Sequence, residues 1–212
     1  MERFNFFKNI ENRYKSKISV KKPLVIRFDG KGITKNPFIN LLDEKEGSFS
    51  DALKKTAKFI SGKYRCISFI SGDELNLVFE NPLTLISYIK SVDIQKINSL
   101  LTQELFYIFN KYINAVKPIY FDCRCFNIPK DKIDSYLLYR VNSASNTAIQ
   151  YFAKKNIDKE LRHGKHLDFI INYLENNIPS YAERTVYQRE GFIYIKGNKI
   201  IPSKYFKKQL IV

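Results

Sequence analysis

"CISFISGDELNLVF", residues 66–79, holds two β-prone runs separated by the short turn "GDE". Residues 65–71 and 75–80 therefore read as the strands of a hairpin whose tip carries Asp73 and Glu74. Upstream, "LVIRFDGKGITK" (24–35) runs an apolar segment into Asp29 and two glycines. The pattern predicts a strand over 22–28 that delivers a carboxylate to a loop of nearly bare backbone. A long loop then leads into "SFSDALKKTAKFISGKY" (48–64), a helix with Ser48 or Ser50 as N-cap and Leu53, Ala57 and Ile60 at helical spacing. Downstream, Ile94, Ile97, Leu101, Leu105, Ile108 and Tyr112 mark one face of a helix over 94–113, and "PIYFDCRCFNIP" (118–129) reads as another strand.

The order β-α-β-β-α-β is that of an α+β fold with a ferredoxin-like palm, an antiparallel sheet carrying two helices on one face. In that topology the first strand pairs with the third. Asp29 and Asp73, 44 positions apart (73 − 29), then meet at one sheet edge. The palm-like core is expected over 1–129. Residues 130–212 read as a helical and β C-terminal extension packed on the same unit, with helices at 131–154 and 158–176 and a small closing β segment, "GFIYIKGNKIIP" (191–202). There is no internal repeat or low-complexity tract.

A chain of 212 residues with 44% hydrophobic and 15% aromatic content can bury one substantial core. Its net charge of +15, from 36 Lys+Arg against 21 Asp+Glu, predicts a field that attracts polyanions, nucleic acid foremost. A generally lysine-rich composition would give the same total. Cys66, Cys123 and Cys125 form no C-x-x-C spacing, so they read as buried reduced thiols rather than a zinc site or a disulfide framework. The start "MERFNFFKNIENRYKSK" lacks the apolar centre of a signal peptide, and no stretch approaches a membrane span. The expectation is a soluble, cytoplasmic protein with no membrane partner.

Two carboxylates on adjacent strands can hold one or two Mg2+ ions, which take oxygen ligands and bridge nucleotide phosphates. Gly30 and Gly32 would let the backbone approach the ion and a triphosphate without a Cβ in the way. "DGKG" alone, or "SGDE" alone, is a tight turn. Both together, at neighbouring strand ends, point to a metal site for nucleotidyl transfer. Such a palm serves polymerases and nucleotide cyclases alike, so the pattern leaves the reaction open.

"PLVIRFDGKGIT", "FISGDELNLVF", "YFDCRCFNIPKDKIDSYLLYR", "LRHGKHLDFIINYL" and "PSYAERTVYQREGFIYIK" resemble, in order and spacing, the tRNA(His) guanylyltransferase family, particularly its shorter Thg1-like members. The resemblance covers nearly the whole chain. It implies a nucleotidyltransferase that adds nucleotides in the 3′-to-5′ direction to the 5′ end of tRNA, with two Mg2+ ions and with ATP and GTP or another NTP as substrates. It further implies a homo-oligomer, commonly a tetramer. Carried over residue by residue, it makes Asp29, the Gly30 carbonyl and Asp73 the metal ligands. Asp29, Gly30, Lys31, Gly32, Ile33 and Thr34 would wrap the nucleotide, with Gly72 and Asp73 completing the pocket. Glu74 joins Asp29 and Asp73 in the catalytic set, either shaping the site's charge or standing as a solvated acid at the hairpin tip. Arg124, Arg140 and Lys165 fall where RNA phosphates are held, and Asp122 accompanies Arg124 as a site residue or a strand-end acid. His163 and His166 read as helix-surface histidines, since no ligand partner lies at metal spacing.

The chain also departs from the family. Ser143, Asn146 and Thr147 stand where the shorter members usually carry Asp, Arg and Asn, and Thr34 where a His is common. The metal side is intact and the acceptor side eroded; and because the motif "HINNLYNT" of the family's eukaryotic branch is absent, the resemblance implies templated repair of 5′-truncated tRNA or another structured RNA rather than addition of a single G. Two other classes remain at this stage. One is a nucleotide cyclase or oligonucleotide synthase, since "SGDEL" also resembles the diguanylate cyclase signature; the other is a non-catalytic RNA-binding module.

Overall fold

The computed structural model describes residues 16–36, 38–115 and 117–206. The opening segment, read above for a signal peptide, lies outside the described residues through position 15. The elements run β1 (Leu24–Gly30), α1 (Phe49–Tyr64), β2 (Ile67–Ser71), β3 (Glu74–Phe79), α2 (Leu83–Ile89), α3 (Ile94–Tyr112) and β4 (Phe121–Asn127). They continue with α4 (Ile133–Asn156), α5 (Lys159–Arg162), α6 (Leu167–Asn177), α7 (Pro179–Ala182), α8 (Val186–Glu190), β5 (Phe192–Ile195), β6 (Asn198–Ile200) and α9 (Pro202–Tyr205). The strands form one antiparallel sheet in the order β4-β1-β3-β2-β5-β6. The expected α+β palm is present, and β1 lies between β3 and β4.

Alternation along the strands sorts the two faces. Leu24, Ile26 and Phe28 of β1 join Leu75, Leu77 and Phe79 of β3 in a core with α1 and α3. Val25, Phe69 and Val78 point the other way, where Ile133, Leu137 and Val141 of α4 cover them. Burying each such side chain contributes about 1.5–3 kcal/mol. Helix starts follow the sequence: Ser48 Oγ accepts from the Asp51 N–H at the head of α1, and Asp93 does the same for Lys96 at the head of α3. α4 reaches along its own face of the sheet but leaves the β1–β4 end, with Asp29, Asp122 and Arg124, outside its apolar contact.

Most element ends differ from the sequence reading by one to three residues, and a few differences carry a physical reason. β1 starts at Leu24 rather than residue 22, because Pro23 has no N–H for the ladder, and runs on to Gly30, which pairs with Phe121. The helix expected over 158–176 is two, α5 and α6, because Gly164 sits at φ +70°, a left-handed conformation no α-helix accommodates. His163 and His166 are therefore not on a helix surface; they cap the end of α5 and the start of α6. The closing β segment is a hairpin, and its strand β5 extends the main sheet by pairing Ile67, Ser68, Phe69 and Ile70 of β2 with Ile195, Tyr194, Ile193 and Phe192. The short helix α2 has no counterpart in the sequence reading.

Entry into β5 depends on Gly191, at φ 73° and ψ −161°. A Cβ there would lie 2.2 Å from the Ile70 carbonyl oxygen. That region of backbone space is essentially restricted to glycine. Gly191→Ala is expected to destabilise the protein by about 1–3 kcal/mol or more, read as a lowered urea midpoint with little change in the denaturant slope.

Candidate functional site

β1 ends beside the β2–β3 hairpin tip because Asp29 is the register partner of Glu74, and the Gly30 N–H donates to the Asp73 carbonyl oxygen at 2.9 Å. On the other side Asp29 faces Asp122 of β4. A row of acids thus crosses three strands on the sheet face that carries α4. The Lys31 N–H donates to the Tyr120 carbonyl at 2.9 Å, and Gly32, at φ 71°, turns the chain into a 3-10 helix, Ile33–Lys35. The Thr34 side chain lies outside the described residues. Gly30 answers a close approach: a Cβ would lie 2.5 Å from Ile33 Cγ1 and 3.1 Å from Asp73 Cβ. The loop and the hairpin tip, carrying Gly72 and Asp73, are in this way joined backbone to backbone.

The three acids on β1 and the hairpin are not equivalent. Glu74 is buried, 8% exposed, and taken by Arg140 of α4: Arg140 Nε donates to Glu74 Oε1 at 2.8 Å, and its Nη2 bonds Oε2. Asn76 Nδ2 also donates to Oε1, at 2.5 Å, and the Tyr136 hydroxyl donates to Asn76 Oδ1 at 2.6 Å. Glu74 is therefore not a solvated tip acid. Burial disfavours charge on Arg140, but the Glu74 carboxylate beside it prevails and holds its pKa above the usual value. Asp73 is the opposite case: burial first, then the charges of Asp29 and Glu74, push its carboxyl up to about 6. Among the described residues neither Asp29 nor Asp73 is in an ion pair.

This donor set fits a hard divalent cation. Among the described residues no three His, Cys, Asp or Glu side chains cluster as a metal cage. Magnesium does not need one: it is held by one or two carboxylates and keeps waters and substrate phosphate oxygens as its other ligands. Two carboxylates without an ion-pair partner among the described residues, one resisting ionisation first because it is buried and then because of the Asp29 and Glu74 charges, with the close-packed Gly30 backbone alongside, supply that kind of site.

Arg124 is exposed on β4, opposite Arg27 of β1. Arg140 is 8% exposed and engaged with Glu74, so it does not present a free guanidinium. Lys165 is exposed in the α5–α6 connection. The neighbouring α6 packs, through Ile170 and Leu174, on Ile149, Phe152 and Ala153 of α4. Twelve residues of helix separate Phe152 from Arg140, about 18 Å along the axis. Of the departing positions, Thr147 faces a cleft shared with Gly72, Asp73 and Tyr151, and its hydroxyl donates to the Ser143 carbonyl at 3.0 Å. Sequence reasoning passed over Arg27, Asn76 and Tyr136. Arg27 Nε is buried without a hydrogen-bond partner, 3.8 Å from Glu74 Oε2. The signal was present: Arg27 is two residues from Asp29 and Asn76 two from Glu74, so strand alternation puts each pair on one face.

A family model described as Thg1: tRNAHis guanylyltransferase matches residues 4–129. No curated protein sequence matches the chain. Among solved structures, a bacterial tRNA(His) guanylyltransferase (Thg1)-like protein in complex with ATP has a TM-score of 0.75 at 21% identity, over 97% of this chain and 96% of that one. A bacterial Thg1-like protein in complex with GTP gives 0.72 at 18% identity, over 99% and 97%. The tRNA(His) guanylyltransferase of Saccharomyces cerevisiae gives 0.70 at 17%, over 95% of each chain. At these identities the likeness is one of fold.

Proposed function

The chain belongs to the Thg1 (tRNAHis guanylyltransferase) family, a family of nucleotidyltransferases, and from that premise we propose that it is a Mg2+-dependent 3′-to-5′ nucleotidyltransferase acting on the 5′ end of tRNA. The observation that carries the reading is the junction of the β1 end with the β2–β3 hairpin tip, where Asp29 and Asp73, in no ion pair among the described residues, stand beside a glycine loop. The ATP and GTP complexes of Thg1-like proteins of the same fold support nucleoside triphosphates as substrates.

In this reading ATP first adenylylates the 5′-monophosphate of the RNA with release of pyrophosphate, and the 3′-hydroxyl of an incoming NTP then attacks that activated 5′-phosphate and displaces AMP. Asp29, the Gly30 carbonyl and Asp73 would hold two magnesium ions. Bound there, magnesium supplies neutralisation of the triphosphate, activation of the hydroxyl and stabilisation of the leaving group. Gly30, Lys31, Gly32, Ile33, Thr34 and Gly72 line the nucleotide. Glu74 serves by fixing the hairpin tip through Arg140. Arg124, exposed beside Arg27, is a cation available to phosphate. A cytoplasmic location and a homo-oligomeric state belong to the same reading; among the described residues no helix is long and apolar enough to cross a membrane.

The test is incubation with magnesium, labelled NTPs and a pool of 5′-truncated tRNAs. The expected result is label at the RNA 5′ end, on unrelated tRNAs, since the run 142–147 carries no charged side chain to read one acceptor. Cyclic or oligomeric products from NTPs alone would move the protein to the cyclase class. RNA binding without NTP consumption would make it a binding module.

A further inference from the structure

Beyond the catalytic junction, one flank of α6 carries more aromatic surface than its packing on α4 uses: Tyr173 rests partly buried against that core, while Phe169 stands outside it. Ile170 and Leu174 supply the buried contact to α4. Beside them, Lys165, Phe169 and Tyr173 follow one another at intervals of four along the chain. Lys165 Nζ lies 5.1 Å from the centre of the Phe169 ring, and the Phe169 and Tyr173 rings stack at 6.4 Å with their planes 30° apart. Phe169 is nonetheless 42% exposed. A phenylalanine serving only the core would be turned into it, as Phe152 is on the facing helix.

The stretch of chain that leads into this ladder has one dominant charge sign. Between positions 154 and 165 the chain carries Lys154, Lys155, Lys159, Arg162 and Lys165 against Asp158 and Glu160. The acids of α6 itself, Asp168 and Glu175, lie about 100° or more around the helix from the ring beside them in sequence, at 3.6 residues per turn. An exposed ring that offers a stacking face beside a lysine, on a stretch of net positive charge, is the element of a platform for single-stranded nucleic acid. An acidic protein partner would use the lysines and leave the stacked rings without a purpose. A nucleic acid uses both, through its phosphates and its base faces.

We propose that Lys165, Phe169 and Tyr173 form a stacking platform for unpaired RNA nucleotides, set apart from the catalytic acids and served by the same bound RNA. The proposal rests on the reading of this protein as an RNA 5′-end nucleotidyltransferase and adds where the RNA is gripped away from the reacting end. Phe152, in the α4 cluster on which α6 packs, lies roughly 18 Å along α4 from Arg140, by the helical rise of 1.5 Å per residue. An RNA would need a few unpaired nucleotides, or a stem end with unpaired flanks, to occupy both places.

The experiment measures affinity by fluorescence anisotropy for a short unpaired RNA and for a fully duplexed RNA of equal charge, with nucleotide addition to a 5′-truncated tRNA measured in parallel. The variants are Phe169→Ala, Phe169→Tyr and Tyr173→Ala, each checked by thermal melting. Phe169→Ala is expected to weaken unpaired RNA about tenfold, duplex RNA far less, with Phe169→Tyr close to wild type. Equal loss for both RNAs, no loss, or failure of Phe169→Tyr to preserve binding in a folded protein would overturn the platform. So would binding of the intact protein to anionic lipid vesicles that is lost in Phe169→Ala while RNA affinity is kept. If wild type extends tRNA but the variants bind RNA normally, only the platform falls; if wild type neither binds nor extends RNA, the functional reading falls with it.

Discussion

Asp73→Asn is expected to reduce nucleotide addition by at least about a hundredfold and, in the metal-free protein at pH 7.5, to raise the thermal midpoint. The two effects have one origin. Burial, the nearby Asp29 charge and the Glu74 charge raise the Asp73 carboxyl from its ordinary 3.8 to about 6. Because the folded value lies above the unfolded one, the protonated acid favours the fold. That contribution is fully present below about pH 4 and is lost as pH rises through about 6. At pH 7.5 the ionised carboxylate is therefore a cost, with an upper limit of about 3 kcal/mol at 1.36 kcal/mol per pKa unit. Asparagine removes the charge and keeps the shape. In EDTA the wild-type protein should lose stability between about pH 4 and 6 to a greater degree than Asp73→Asn. Asp29→Ala should match the loss of activity and also relieve Asp73. Near-normal turnover by either variant in magnesium would remove both acids from the reaction. A lower midpoint for Asp73→Asn would show that the crowded charge is not what the geometry implies.

That acid pair was legible from sequence because two strong local signals, strand periodicity and glycine turns, combined with a topological rule that pairs the first strand with the third. The structure supplies that pairing as Asp29 opposite Glu74, one residue beyond Asp73. The helix caps at Ser48 and Asp93 and the apolar faces of α1 and α3 are local too, and periodicity places them well. What failed to show was whatever depends on one backbone angle or on a remote partner. Gly164 in "LRHGKHLDF" reads as a tolerated glycine in a helix until its φ of +70° divides α5 from α6. The alternation of "FIYI" marks a strand but not its neighbour, so nothing local told β5 to pair with β2.

Arg140→Ala gives the second large expected effect, a destabilisation of about 3–5 kcal/mol, because it would leave the Glu74 carboxylate buried without its partner. In the sequence Glu74 stands at a hairpin tip, where acids are usually solvated, and Arg140 lies 66 positions away on a helix whose docking no local pattern reveals. Family resemblance places Arg140 at the RNA phosphates; the geometry turns both its Nε and its Nη2 to Glu74. The two assignments separate by experiment. As a structural counter-ion, Arg140 controls the urea midpoint, and Glu74→Met combined with Arg140→Leu should recover most of the stability lost in Arg140→Ala, since apolar replacement of a whole buried pair is often neutral. Activity should stay low in the double variant, because the tip bearing Asp73 is then no longer tied to α4 through that pair. As a phosphate contact, Arg140 would instead control RNA affinity with little change in the midpoint, and the double variant would recover nothing. An unchanged urea midpoint in Arg140→Ala, with a large loss of RNA affinity, would return this arginine to the phosphates.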